Sequence, residues 1–289
     1  MQRLPCASPV RIAAALVALS CMAVPAQSAQ VAAPASAAPL QPAAAASLGD
    51  TLLAKATALY ASTAKSGLRG FDCSVHPDWQ KIKTSSRKGT PSADSDSGIA
   101  MLNGVKITLH APLDGDSTVD WAVRAGKPLE ADTSAMLDRA HRGIEQSLTG
   151  ALKLWIPLVN GSVAESLGAE DVDVTQNENG YSVRSRDKRH SLTEEFDRNL
   201  LLTRTVIADS GSVVDIAPTF QPTSQGLLLS SFTARVQPAG TTAENAKQMH
   251  ISFEYQTVSG AQIPAKLAVD VRNVVTMDFM LDGCTVSLK

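Results

Sequence analysis

The sequence has little net charge and none of the common catalytic motifs. Its 26 basic and 28 acidic residues give a formal net charge of −2. A balance so close to neutral offers no basic surface for nucleic acid and no polybasic patch for anionic lipid. No serine stands in a Gly-x-Ser-x-Gly elbow, and no glycine-rich phosphate loop precedes a helix. A hydrolase would therefore need a site assembled from residues distant in the sequence.

Cysteine is also scarce, with four in the whole chain. Once the export signal described below is removed, only Cys73 and Cys284 remain, and neither has a second ligand at the spacing of a metal site. Two cysteines in an oxidising compartment most simply form a disulfide. That bond would enclose nearly the whole domain and would stabilise it by roughly 4 kcal/mol in the chain-entropy model. Two separate buried thiols are the alternative.

The first 29 residues are typical of an export signal, with a basic start followed by an apolar run. The run, residues 12–24, is too short to be a stable membrane anchor. Small residues around Pro25 and Ser28 provide cleavage sites, so the predicted location is the periplasm or the cell exterior. The residues before Cys21 loosely resemble a bacterial lipoprotein cleavage box, and a lipid anchor at Cys21 is the alternative.

Residues 30–47 are rich in alanine and proline and almost free of charge, which predicts a disordered linker. Residues 48–289 are then long enough to form one domain with its own core. No segment after the signal is long and apolar enough to cross a membrane. The sequence also has no internal repeat of fixed period. We therefore predict a signal, a linker and a single folded domain.

The last forty or so residues predict three antiparallel strands with one apolar face. Apolar and polar residues alternate in each, as they do on either side of Phe253. The pair Ser259-Gly260 favours a hairpin turn between the first two strands. Short strands also follow one another from residue 171 onward, and Asn-Glu-Asn-Gly at 177–180 is a strong hairpin signal. This regular spacing is typical of a meandering antiparallel sheet.

Two main helices are predicted, at about residues 50–65 and about residues 132–158, because apolar residues recur there at helical spacing. Pro157 is expected to bend or end the second helix. About nine to eleven strands with one apolar face must curl to cover that face. The predicted fold class is α+β, a large curved antiparallel sheet, as an open barrel or half-barrel, wrapped around the two helices.

The closing segment from Phe253 to Leu267 reads as a strand, a Gly-x-x-Ile-Pro turn at 260–264 and a second strand. Together with the export signal, the tyrosine-containing helix and the helices under the sheet, it resembles the periplasmic lipoprotein-localisation carriers with the LolA-like fold. The GFDCxVHPDW and LDGCTV segments are also similar to those of other exported bacterial proteins. The carrier resemblance implies an apolar cavity for acyl chains between sheet and helices, and no catalytic residues.

A ligand cavity of that kind would be lined by large apolar side chains of the second helix and of the strands. An ordinary dry core has the same composition and is the alternative. The first hypothesis is thus an exported non-enzymatic protein that binds a lipid, an acyl chain or a lipoprotein. The second is an envelope scaffold or surface-binding protein with a filled core. The candidate cavity residues are Ile144, Leu148, Leu152, Trp155, Phe232, Phe253, Tyr255, Met277 and Phe279.

A third hypothesis is an enzyme that uses His76, Asp78 and His110 as an acid–base or metal group. It requires these three side chains to meet in one pocket. The alternative is that Asp78 caps a short helix while Trp79 packs beneath it.

Other polar groups are expected to face solvent. His141 and Glu145 lie one helical turn apart, on what we interpret as a wet helix face, with coordination of an ion as the alternative. His190, Glu194 and Glu195 are expected to form a solvated strand pair. No cofactor, metal or nucleic-acid partner is predicted.

Overall fold

The computed structural model describes residues 52, 54–55, 58–61, 63–85, 94–123, 131–160, 172–186, 191–272 and 274–289. The predicted signal, the predicted linker, Cys21 and His190 lie outside these residues.

Most of the described chain is β-strand. Besides helical residues among 52–59, the described part of the chain has four α-helices with defined bounds, α1 (Thr63–Ser66), α2 (Trp79–Ser85), α3 (Asp94–Leu102) and α4 (Ala131–Asn160), and a 3-10 turn at Ala243–Asn245. The strands are β1 (Leu68–Pro77), β2 (Lys106–Pro112), β3 (Thr118–Ala122), β4 (Val172–Asn177), β5 (Gly180–Arg186), β6 (Ser191–Asp197), β7 (Leu202–Ala208), β8 (Ser212–Thr223), β9 (Gly226–Pro238), β10 (Lys247–Val258), β11 (Ala261–Val271) and β12 (Val275–Leu288).

All these strands belong to one open antiparallel sheet of 12 strands, in the order β3-β2-β1-β12-β11-β10-β9-β8-β7-β6-β5-β4. The prediction of a large antiparallel sheet is confirmed. Strands β4 to β12 form one meander, in which each strand pairs with the next along the chain, and β1 to β3 form a second. The two meanders join where β1 pairs with β12, so the first and last strands are neighbours, in the third and fourth positions from the β3 edge of the sheet.

The long helix α4 connects the two edges of this sheet, because β3 and β4 are its outermost strands. Eleven strand spacings amount to about 53 Å in a flat sheet, and a helix of 30 residues is about 45 Å long. From its N-terminal to its C-terminal end, the helix crosses the strands in the order in which they stand in the sheet. Ser147 reaches Met277 of β12, with 3.4 Å from Oγ to Sδ, and Trp155 lies against Phe253 of β10. A single helix thus spans much of the width of the sheet.

The predicted range of α4 is confirmed to within about two residues at each end. Of the two effects predicted for Pro157, a bend or the end of the helix, the second is wrong. Pro157 lies inside the helix, which continues to Asn160. Leu154, Leu158 and Val159 around it are all buried, so packing on more than one side outweighs the loss of one helical hydrogen bond. None of the helices in the described part of the chain has the length and apolar character needed to span a bilayer.

The prediction of a helix at about 50–65 is confirmed only in part, because the helix is interrupted at Tyr60. Helical residues among 52–59 stop before Tyr60, which forms a parallel bridge with Leu227 of β9, and helix α1 begins only at Thr63. Ala61 N–H donates to the Leu227 carbonyl at 2.9 Å. Contacts with a distant strand therefore override the local helical pattern, and α4 is the single long helix of the described residues.

The predicted disulfide is present. Cys73 of β1 and Cys284 of β12 are bonded, with a Cα–Cα distance of 4.2 Å. The β1–β12 register shifts at this point, because Asp72 pairs with Thr285 and Ser74 pairs with Asp282. Two residues, Gly283 and Cys284, therefore face Cys73, as in a β-bulge, and Gly283 has the positive φ of 55° that such a bulge takes easily. The covalent bond lies at the junction of the two meanders.

Candidate functional site

The centre of the apolar interior is Trp155 of α4, which is fully buried. Its ring lies between Phe71 of β1 and Phe253 of β10, with centroid distances of 6.1 and 6.2 Å. Its indole N–H donates to Tyr255 Oη at 2.9 Å, and that hydroxyl donates to the Leu229 carbonyl at 2.6 Å. Burial raises the pKa of Tyr255 well above its ordinary value. The polar atoms of this aromatic group are therefore satisfied as buried polar atoms must be.

The structure brings all nine candidate cavity residues into one cluster between α4 and strands β9 to β12. Eight of them are at most 6% exposed, and Tyr255 is half-buried. They come from one side of the helix and from alternate positions of the strands, as their periodicity predicts. The set is Ile144, Leu148, Leu152 and Trp155 of α4, Phe232 of β9, Phe253 and Tyr255 of β10, and Met277 and Phe279 of β12.

Strands β9 and β10 separate beside this cluster. Their ladder runs from the pair Lys247–Val236 to the pair Ser252–Ser231 and ends there. Beyond it, residues 226–229 of β9 pair with β8, and residues 253–258 of β10 pair with β11. We call these two diverging segments the β9–β10 fork. Two β9 carbonyls in it, those of Leu227 and Leu229, accept hydrogen bonds from Ala61 N–H and from Tyr255 Oη.

A small cavity lies at the fork, in contact with the aromatic group. Its volume is about 10 Å³, and Ala61, Trp155, Val159 and Leu228 are among its lining residues. That volume holds about one water molecule. At the fork, the sheet, helix α4 and residues 59–61 therefore meet without complete packing.

Tyr60 lies beside the fork and contacts residues of β7, β8 and β9. Its hydroxyl donates to the Leu200 carbonyl at 2.9 Å and accepts from Leu202 N–H at 2.6 Å. Its ring meets Phe220 edge-on, at a centroid distance of 5.0 Å. The pKa of Tyr60 is raised to about 12, mainly because burial disfavours the phenolate. The hydroxyl thus stays protonated and makes both bonds over the whole physiological range.

Gly226, at the start of β9, allows residues 59–61 to lie close to the backbone of that strand. Its φ is 117°, and a Cβ atom built there would lie 2.6 Å from the Leu59 carbonyl oxygen and 2.9 Å from Ala61 N. Contacts that short do not occur between real atoms, so a side chain would displace the segment. Sequence analysis missed both Tyr60 and Gly226 as site residues. The signal for Gly226 was its place in the turn between two strands, but nothing local linked it to Tyr60.

The three residues of the enzyme hypothesis do not meet. His76 Nε2 lies 3.0 Å from Asp282 Oδ1 on the exposed outer face of the sheet. Asp78 Oδ1 instead accepts from Lys81 N–H at 2.9 Å and so caps helix α2, while Trp79 is buried. His110 is the cross-strand partner of Asp72, which lies four residues before His76, a separation of about 13 Å along the strand.

His110 belongs to a separate exposed group. Its Nδ1 lies 2.7 Å from Asp72 Oδ1 and its Nε2 lies 3.2 Å from Asp120 Oδ2. The hydrogen bond with Asp72 is the main reason why the pKa of His110 is raised, and Asp120 adds to it. In the described residues, no three His, Cys, Asp or Glu side chains are grouped so that they could hold a metal ion.

Two of the residues expected in solvent are in different surroundings. Glu194 of β6 is fully buried, between its cross-strand neighbours Val183 and Thr205. His141 stacks on Trp121 of β3, with ring centroids 5.1 Å apart and planes 20° from parallel. The period of two did not identify which face of β6 points inward, because both faces of that strand carry polar residues.

Comparison with family models, with curated proteins and with solved structures gives no match to this chain. What the site can do therefore follows from its geometry.

Proposed function

We propose that the protein is a non-enzymatic binding protein of the periplasm or the cell exterior, which holds an apolar or acylated ligand between helix α4 and the sheet. The observation that carries this proposal is the β9–β10 fork. Two strands of the sheet part there, directly beside Trp155 and the cluster of large apolar side chains. An apolar ligand is stabilised by leaving water for such a surface, in proportion to the area it buries.

Ligand uptake requires the fork to widen. The cavity of about 10 Å³ is far below the volume of roughly 300 Å³ or more that ligand pockets have. Widening between the two strands breaks few bonds, because their ladder has already ended. The hydrogen bonds from Tyr255 to Leu229 and from Ala61 to Leu227 are the ones at risk, each worth about 1 kcal/mol net.

The proposal includes a sheet that curves around α4 as a half-barrel. Phe71 and Phe253 are on strands three spacings apart, or about 14 Å in a flat sheet, yet both rings contact Trp155. A curved inner face brings such residues together. The disulfide supports an oxidising location, and a half-barrel with an acyl-chain site would match the LolA-like resemblance.

A second candidate function is favoured by the packing itself. The eight most buried candidate residues are at most 6% exposed, and the Trp155 and Tyr255 polar atoms have hydrogen-bond partners. A core so filled supports an envelope scaffold or surface-binding protein that takes up no ligand. The two candidates differ in one respect only, which is whether the fork opens.

Native mass spectrometry of the full chain after mild extraction, together with uptake of a fluorescent fatty acid, tests the proposal. Ala61→Leu places three extra carbons in the cavity at the fork and is expected to abolish bound lipid and fatty-acid uptake. Ala268→Leu is the matched control, since Ala268 is also half-buried but pairs with Ser252 and Asp278 on the opposite face of the sheet. No lipid and no uptake in the unmodified protein would sink the proposal in favour of the filled core.

A further inference from the structure

The hairpin formed by β10 and β11 separates from the sheet on both sides at its turn end. One side is the β9–β10 fork. On the other side, the β11–β12 ladder ends at the pair Lys266–Met280, and beyond it residues 281–288 of β12 pair with β1. Pro264 has no N–H to offer a neighbouring strand, which suits a position where a ladder has ended. We call residues 255–264 the β10–β11 flap.

A β-bulge lies at the base of this flap. Glu254 pairs with Lys266 and Tyr255 pairs with Pro264, so Ala265 is an extra residue on β11. A bulge disrupts the ladder locally and bends the strand that carries it. Both neighbouring ladders end within about three residues of this bulge. The point where the hairpin bends most easily is therefore also the point where it leaves its neighbours.

Side chains, instead of backbone ladders, tie the flap across the two gaps. Gln256 Nε2 donates to the Leu281 carbonyl of β12 at 3.0 Å and lies 3.2 Å from Cys284 Sγ. On the other side, Tyr255 Oη donates to the Leu229 carbonyl of β9 at 2.6 Å. Each such bond contributes little net free energy, because water replaces the protein partner once the bond is broken.

The inner face of the flap closes the apolar interior. Ala261 and Ile263 are at most 1% exposed, and helix α1 contacts β11. Gln262 lines the small cavity at the fork together with Trp155. Burial of the two apolar side chains keeps the flap closed in this structure. An acyl chain that took their place would keep the same surface out of water.

We propose that the β10–β11 flap is a hinged lid, which turns as a unit about the bulge at Ala265 and opens the space beside Trp155 to an apolar ligand. This motion keeps the hydrogen bonds between the two strands of the flap and breaks the ties across the two gaps. As a lid for a ligand the flap rests on the proposed function, whereas its hinged motion does not.

Hydrogen exchange of the unmodified, ligand-free full chain measures the motion without any variant. In a hinged unit, the amides of residues 255–263 share one opening equilibrium. They are expected to exchange at least about tenfold faster than those of residues 266–271 and 249–252, once corrected for intrinsic rates. A hairpin that merely frays would instead lose protection gradually from Ala265 to the turn at Gly260. A gradual loss of that kind overturns the hinge.

Gln256→Ala loosens the flap on the side of β12. We expect all the flap amides to exchange about fivefold faster in this variant, because one net hydrogen bond is lost. Gln248→Ala is the matched control. Gln248 is also half-buried and its side chain also bridges, to Arg272 Nη1 at 3.1 Å, but it lies at the opposite end of β10, where the strand is paired with β9. Equal changes at the flap in the two variants overturn the hinge.

Uptake of a fluorescent fatty acid by the same three proteins tests the lid. Gln256→Ala is expected to take up the fatty acid about fivefold faster, with an unchanged amount bound at saturation, because the opening equilibrium has changed and the site has not. Uptake at one common rate in Gln256→Ala and Gln248→Ala overturns the lid. Absence of uptake in all three proteins overturns the proposed function and the lid with it, but not the hinge, which hydrogen exchange alone decides.

Discussion

Two junctions on either side of strands β10 to β12 are closed in different ways. At the β1–β12 junction a ladder extends from Leu68–Leu288 to Pro77–Phe279, and the Cys73–Cys284 bond crosses it. At the β9–β10 fork the ladder ends part-way along both strands, and what closes the gap is Tyr255 and the Tyr60–Ala61 segment. One junction is covalent and continuous, and the other depends on a few hydrogen bonds made by side chains and by a remote segment.

This difference between the two junctions identifies the part of the sheet that can open most easily. Opening the β1–β12 junction would break a row of backbone hydrogen bonds and a disulfide, whereas widening the fork breaks bonds worth about 1 kcal/mol each. Local opening draws on the least stable parts of a fold. The proposed ligand uptake is therefore expected to occur at the fork.

The largest expected effect is at the covalent junction. Replacing both cysteines, as Cys73→Ala with Cys284→Ala, is expected to lower the free energy of unfolding by roughly 4 to 5 kcal/mol, because the bond closes a loop that spans a separation of 211 residues. Urea unfolding of the full chain measures it. The unmodified protein under reducing conditions should match the double variant, and a loss below about 1 kcal/mol would show that the ladder alone holds the junction.

Gly226→Ala is expected to have the next largest effect. Gly226 and Gly240 both have positive φ, but only a side chain at Gly226 would collide with residues 59 and 61. Gly226→Ala should therefore lose about 1–2 kcal/mol more than Gly240→Ala, from the cost of displacing packed atoms. Urea unfolding gives both values, and hydrogen exchange at residues 58–61 should rise in Gly226→Ala alone. Equal losses would mean that the segment does not depend on that glycine.

Tyr60→Phe tests the hydroxyl that holds the Tyr60–Ala61 segment on Leu200 and Leu202. We expect a loss of about 1–2 kcal/mol, because the Leu200 carbonyl and the Leu202 N–H lose their shared partner. Tyr181→Phe is the control, since Tyr181 is also half-buried and lies on β5, away from the fork. Fatty-acid uptake should become faster in Tyr60→Phe and remain unchanged in Tyr181→Phe. An unchanged uptake rate with normal binding would show that the ligand does not enter through the fork.

The smallest expected effect is on the outer face, at His110. Its pKa is raised in the folded state by Asp72 and Asp120, so its contribution to stability is present below the unfolded pKa of about 6.5 and is lost as pH rises through the folded pKa. The stability difference between the unmodified protein and His110→Asn should be largest below the unfolded pKa of about 6.5 and should shrink as the pH rises above it. Urea midpoints across that range measure it, and a difference that grows with pH would contradict the assignment.

Much of the fold follows from local patterns. Alternation around Phe253 and the hairpin signal at 177–180 correspond to real strands and a real turn, because a half-buried strand needs apolar residues at every second position. The range of α4 follows from its helical stripe, and the disulfide was predicted from the two cysteines that remain after the predicted export signal. The strands, the turn and the helix depend on residues close in sequence, and the disulfide prediction depends on the predicted oxidising compartment.

Other predictions failed where distant residues decide the outcome. Residues 50–65 have a helical pattern, yet Tyr60 pairs with Leu227 and its hydroxyl bonds to Leu200 and Leu202 instead of continuing the helix. His76, Asp78 and His110 look like one group in the sequence, but the strand register sets them apart. The nine candidate cavity residues do come together, although their composition alone does not distinguish a filled core from a ligand site.

By itself, the sequence determined a large sheet of strands with one apolar face, one long helix and a pair of cysteines available to bond, because periodicity acts over a few neighbouring residues. Tertiary structure alone decided that β9 and β10 part, that Tyr60 leaves its helix to close the gap, and that Gly226 makes room for it. Those contacts join positions more than a hundred residues apart. No local pattern records which of many distant partners gives the lowest free energy once the sheet has formed.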